Sequence, residues 1–140
     1  MVYVDTSVVV ALLAREPKSV DVMDWFRTLD VPPTSADWLV PEFSSAVSIK
    51  VRSGQIGEAQ GRRLRKEFAE LASVGLRLVA VSRQAIHRAA ELIAQHQSGL
   101  RSGDSLHLAV ALELGAEEIA TLDSTLARNA KRNGLAVTVL

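Results

Sequence analysis

Short apolar runs alternate with helical periodicity from one end of the chain to the other, and few architectures accept that order. Val2-Tyr3-Val4 reads as a buried strand, and Thr6–Leu13 follows it at once as a helix-like segment. Past Pro17, a helix is predicted over about 19–29, with Val20, Met23, Trp25, Phe26 and Leu29 as its apolar positions. Pro32-Pro33 breaks the chain before a short strand near 34–36, and Pro41 opens a helix over about 41–52. Gly57 precedes a further helix that runs through Leu71 or Ala72, and a strand follows from Leu76 to Val81. Ser82 caps a helix to about Gln97, and Ser102 or Asp104 starts another that ends at Gly115. A strand over 118–122, a helix over 124–133 and a strand over 136–139 complete the chain. Such alternation implies an α/β fold in three layers, with helices on both faces of a mostly parallel sheet of about five strands. A length of 140 residues fits one domain, 1–140.

Four carboxylates occupy the places where this pattern turns from strand to helix or opens a helix: Asp5, Glu42, Asp104 and Asp123. In a parallel sheet, residues just past the C-terminal strand ends gather around one crevice. Each acid has an ordinary explanation. Asp5 and Asp123 suit helix N-caps. Glu42 suits a first helical turn, where the macrodipole favours an acid. Asp104 is harder to place that way, because Leu108 and His107 share its helical face and read as core. A carboxylate there is costly unless paired or metal-bound. Crowded acids repel one another and lose solvation, and a hard divalent cation offsets both. Asp37 competes with Glu42 for the second position but lies in an irregular, Pro-flanked stretch.

Composition excludes several other chemistries. There is no cysteine, hence no disulfide framework and no thiolate zinc site, which fits a reducing cytoplasm. No histidine pair has zinc-ligand spacing with a third nitrogen or sulfur donor. The N-terminus lacks a basic region followed by a long apolar stretch, so neither a secretory leader nor a membrane segment is expected. Acidic and basic residues balance at 16 each, so any nucleic-acid affinity must come from local clusters. Two candidates are Arg62-Arg63-Leu64-Arg65-Lys66 and the group Arg128, Lys131 and Arg132. Solvated helix faces balanced by Glu58, Glu67 and Glu70 explain the first equally well. His107 reads as a core histidine or as a group orienting one of the acids, whereas His87 and His96 read as surface. Trp25, Phe26 and Trp38 divide between core and a partner-facing surface.

The ordered acids carry a family resemblance. Val4-Asp5-Thr6-Ser7, Glu42 with Ser44-Ser45-Ala46, the block Arg101-Ser102-Gly103-Asp104-Ser105 through Ala109, and Thr121-Leu122-Asp123 resemble the PIN domain. Within it, the chain resembles the small VapC-type toxins of prokaryotic toxin–antitoxin pairs. One departure is Leu126, where many members carry an aromatic residue, a position expected to be packing. The resemblance implies an endoribonuclease in which Asp5, Asp104 and Asp123 hold Mg²⁺ or Mn²⁺, directly or through water, and Glu42 completes the site. It also implies RNA hydrolysis by water, leaving a 5′-phosphate and a 3′-hydroxyl. A cognate antitoxin and a homodimer are implied as partners.

Three other readings are set against it. A haloacid dehalogenase-type phosphatase needs an acid two residues after its nucleophilic Asp, where Ser7 stands. A receiver domain needs adjacent acids at the first strand end, where Asp5 stands alone. A non-catalytic module of the same fold, binding RNA or protein, has no use for an intact acid quartet.

Overall fold

The computed structural model describes residues 1–140. Five strands, β1 (Val2–Val4), β2 (Thr34–Ala36), β3 (Arg77–Val79), β4 (Glu118–Ala120) and β5 (Ala136–Val137), form one sheet. Their order is β3-β2-β1-β4-β5 and every pairing is parallel. Seven α-helices connect them: α1 (Thr6–Leu13), α2 (Ser19–Arg27), α3 (Leu39–Arg52), α4 (Glu58–Val74), α5 (Arg83–Ala94), α6 (Ser102–Glu113) and α7 (Ser124–Arg132). A single 3-10 turn at His96–Ser98 separates α5 from α6.

Strand alternation divides the interior into two cores. Tyr3 and Ile119 point to one face of the sheet, against Ala85, Ala89 and Leu92 of α5, Leu108 of α6 and Leu126 of α7. Val4 and Ala120 point to the other, against Val8 and Val9 of α1, Phe43 and Val47 of α3, and Leu64 and Phe68 of α4. Phe43 and Phe68 stack with ring centroids 4.3 Å apart, which locks α3 to α4. The expected three-layer α/β/α architecture is therefore present. Leu126 is fully buried, in keeping with the packing role expected of that position.

Several element ends differ from the sequence pattern, for local reasons. α3 begins at Leu39, two residues ahead of Pro41, which sits in the first turn where its missing N–H breaks no helical bond. α5 stops at Ala94, ahead of the expected Gln97. α6 ends at Glu113, and Gly115 follows in the left-handed conformation at φ +64. The sequence pattern places Val20 on the apolar stripe of α2, but Val20 is 66% exposed and Val22 is fully buried. Val22, Trp25, Phe26 and Leu29 follow i, i+3, i+4, i+7 spacing, whereas Val20 lies off that face.

The strand order sets up the site. From β1 the chain moves outward through β2 to β3, then returns across the sheet to β4 on the other side of β1. The C-terminal ends of β1 and β4 thus border the crevice where the order reverses. Val4 pairs with Ala120 at those ends, so Asp5 and Thr121 emerge side by side.

Candidate functional site

One cleft of about 300 Å³ is lined by Asp5, Glu42, Asp104 and Asp123, together with Thr6, Ser7, Ser45 and His107. Residues far apart in sequence meet here because β1, α3, α6 and the β4–α7 turn all open onto the same side. The rival Asp37 is elsewhere: its carboxylate accepts the Val81 N–H at 3.2 Å and ties β2 to the loop after β3.

Asp5 is buried, with 4% of its surface exposed, and both of its oxygens are occupied. Oδ1 accepts the Ser7 hydroxyl at 2.6 Å and the Val8 N–H at 3.3 Å, which makes Asp5 the N-cap of α1. Oδ2 accepts the Thr121 hydroxyl at 2.6 Å. Burial raises the Asp5 carboxyl above its ordinary value despite these donors. Asp123 caps α7 by accepting the Leu126 N–H at 2.7 Å. Capping and cleft placement therefore coexist in the same two residues. Thr121 and Ser7 brace them, since Thr121 accepts the Asp123 N–H at 3.0 Å and Ser7 accepts the Leu122 N–H at 2.9 Å.

Asp104, in the first turn of α6, is half-buried. Burial first, then the charge of Asp123 and the charges of Asp5 and Glu42, raise its carboxyl above the ordinary value. That ordering means the acids sense one another across the cleft.

Glu42 is held differently. Burial alone would raise its carboxyl, but donors from His107 and Thr6, the His107 ring and the Trp38 indole outweigh burial and hold it below the ordinary value. Its Oε2 accepts the Thr6 hydroxyl and lies 2.8 Å from His107 Nε2. Its Oε1 lies against Gly103, in the space a Cβ would fill. Glycine there leaves room for the carboxylate in its present position, and no turn is involved. His107 is 2% exposed, and its Nδ1 lies 2.8 Å from the Tyr3 hydroxyl. His107 is thus a buried core residue that also lies within hydrogen-bond distance of one of the acids. His87 and His96 are exposed, as expected.

The donor set is all oxygen, which suits a hard divalent ion such as Mg²⁺ or Mn²⁺. No group of three or more Asp, Glu or His side chains is arranged to hold an ion by itself. Glu42 is turned toward Thr6 and His107, and Asp5 and Asp123 have oxygens committed to helix caps. The arrangement fits an ion that keeps several of its waters and meets some carboxylates through them.

Sequence reasoning missed Tyr3 and Gly103. Tyr3 hides in an apolar strand, yet a fully buried tyrosine hydroxyl needs a hydrogen-bond partner, and a buried histidine needs one too. That shared need was the available signal. Trp38 is 36% exposed, and its indole nitrogen faces Glu42 and Gly103.

No helix is long and apolar enough to cross a membrane. The PIN domain family profile matches residues 2–132. No curated protein sequence is detectably similar. Among solved structures, VapC20 of Mycobacterium tuberculosis, described as a sarcin-ricin loop cleaving toxin, superposes with a TM-score of 0.74 at 16% identity, over 92% of this chain and 95% of that one. FitAcB from Neisseria gonorrhoeae superposes with a TM-score of 0.71 at 18% identity, over 99% and 97%. VapBC2 from Rickettsia felis, bound to a DNA fragment from its promoter, superposes with a TM-score of 0.66 at 16% identity, over 99% and 98%. At these identities the likeness is one of fold.

Proposed function

From the premise that the chain belongs to the PIN domain family, we propose that it is a metal-dependent endoribonuclease and the toxin of a cytoplasmic toxin–antitoxin pair. The observation that carries this reading is the convergence of Asp5, Glu42, Asp104 and Asp123 on one cleft. The VapC20, FitAcB and VapBC2 neighbours support a toxin with an antitoxin partner. A homodimer is part of the proposal.

Asp5, Asp104 and Asp123 would hold Mg²⁺ or Mn²⁺, in part through water, and Glu42 would complete the site. When bound, the ion supplies neutralising charge at the scissile phosphodiester and makes water a usable nucleophile at neutral pH. The remaining work falls to the chain. Ser7 and Thr121 keep Asp5 oriented from two sides. Asp123 is fixed through its α7 cap. Glu42, ionised and aimed by Thr6 and His107, presents an acceptor for the proton of an attacking water. Hydrolysis in this mode does not use the ribose 2′-hydroxyl, so the products carry a 5′-phosphate and a 3′-hydroxyl.

A polyanion approaching four carboxylates must gain its affinity nearby, because the formal net charge of the chain is +0. Arg52, Arg62 and Arg65 line a groove between α3 and α4, beside Ser48 and Glu58. α3 joins this groove to the cleft, since its Ser45 and Ile49 face the acids and its Ser48 and Arg52 face the arginines. Guanidinium forks there would grip RNA phosphates.

The test is RNA cleavage by the native protein in Mg²⁺, in excess chelator, and with Asp5→Asn. Magnesium-dependent cleavage lost in the variant supports the reading. Equal cleavage by both proteins, or by neither, ends it, and the second result favours a non-catalytic module.

A further inference from the structure

A continuous hydrogen-bonded line runs from the middle of the sheet to Glu42. It begins at the Ala36 N–H of β2, which donates to the Tyr3 hydroxyl of β1 at 3.0 Å. The Tyr3 oxygen lies 2.8 Å from His107 Nδ1 on α6. The far nitrogen of the same ring, Nε2, lies 2.8 Å from Glu42 Oε2 on α3. Tyr3 and His107 are both buried, and their rings meet edge to face at 67°.

Counting protons along this line assigns the tautomer. The Tyr3 oxygen already accepts from Ala36, and the Ser35 hydroxyl beside it donates to the Val4 carbonyl at 2.7 Å. In the neutral ring we assign the Tyr3 proton to His107 Nδ1, its partner at 2.8 Å, which puts the imidazole proton on Nε2. There it faces Glu42 Oε2 at 2.8 Å, which can only accept, with Thr6 Oγ1 beside it at 3.1 Å. The Thr6 hydroxyl donates to the same oxygen, so Oε2 receives two donors from different elements. Gly103 supplies the gap in which the other oxygen rests.

We propose that Tyr3 and His107 are positioning residues: Tyr3 fixes the His107 tautomer, and His107 Nε2–H aims the Glu42 carboxylate into the cleft. The proposal rests on the ribonuclease reading for its consequence but not for its geometry. Outer partners that orient a site carboxylate typically matter by about 10–100-fold in activity. Both residues are buried and act through Glu42, so the effect belongs to turnover rather than to RNA binding.

The experiment has two arms. In the first, long-range ¹H–¹⁵N NMR of the native protein reads the ring, and the expected result is a protonated Nε2 and an unprotonated Nδ1. In the second, single-turnover RNA cleavage is measured for His107→Leu, His107→Gln and Tyr3→Phe, each below its own melting temperature. His107→Leu should lose about 10–100-fold in kcat with KM within about two-fold. His107→Gln keeps an N–H near the Nε2 position and should recover most of that loss. Tyr3→Phe should fall between native and His107→Leu, with its ring spectrum shifted toward a tautomer mixture. Native kcat in His107→Leu, a loss carried wholly by KM, or a proton on Nδ1 alone overturns the proposal. Should His107→Leu fail to fold, the native spectrum and the His107→Gln rate decide. A native protein that cuts no RNA defeats the ribonuclease reading instead, and the spectrum still tests the hydrogen-bond assignment.

Discussion

The Thr121 hydroxyl donates to Asp5 Oδ2 at 2.6 Å. The same hydroxyl oxygen accepts the Asp123 N–H at 3.0 Å, so one side chain couples the acids that follow β1 and β4. Thr121→Val keeps the shape and removes the hydroxyl. It strips Asp5 Oδ2 of its donor and leaves the Asp123 N–H without its acceptor. We expect a stability loss of about 1–3 kcal/mol, read by denaturant titration. The Asp5 carboxyl, already raised by burial, should rise further, and RNA cleavage should drop at least ten-fold.

Asp104 gives a test in which stability and function move in opposite directions. Its carboxyl is raised by burial and by Asp123, so the ionised form is the less stable one in the fold. The sign follows: its contribution is fully present below the ordinary value of 3.8 and is lost as pH climbs through the raised value. Glu42, held low, works the other way, and its contribution is lost as pH falls. Metal-free Asp104→Asn should therefore melt above the native protein at pH 7, with the difference closing toward pH 3. The same variant should cleave no RNA, and a single calorimetry series over pH checks the first half.

Gly103→Ala puts a Cβ into the space that Glu42 Oε1 occupies. The carboxylate must swing away or α6 must shift. A cost of about 1–3 kcal/mol is expected, together with loss of turnover comparable to Glu42→Gln. Activity within two-fold of native would show that Glu42 orientation is unimportant.

Neutralising Arg52, Arg62 and Arg65 together should raise KM for RNA and leave kcat unchanged. Every phosphate that the groove no longer neutralises should flatten the log–log salt dependence by about 0.7. A triple alanine variant with native KM and native salt slope removes the α3–α4 groove from the account. Unchanged RNA binding with lost antitoxin binding would assign that groove to the protein partner.

Much of this was legible in the chain. The strands read at Val2–Val4 and over 118–122 announced themselves by β-branched or apolar runs followed directly by an acid, and both acids landed in the cleft. Short strands with helices on both sides made the architecture readable, because that alternation has few packings. What stayed hidden depends on contacts between distant elements. The Tyr3–His107 pair is separated by 104 residues, and local periodicity gives no hint that one hydroxyl meets that ring. Gly103 looks like a helix-start glycine, and only the position of Glu42 explains it. Val20 was a different kind of miss, since the local i, i+3, i+4, i+7 spacing of Val22, Trp25, Phe26 and Leu29 already marks the buried face of α2.

The most direct measurement is calorimetric titration of Mn²⁺ into the purified native protein and into Asp104→Asn at constant pH. Saturable binding to the native protein that vanishes in the variant is the predicted result. No binding to the native protein, or equal binding by both, would mean that the four acids share a cleft without sharing an ion.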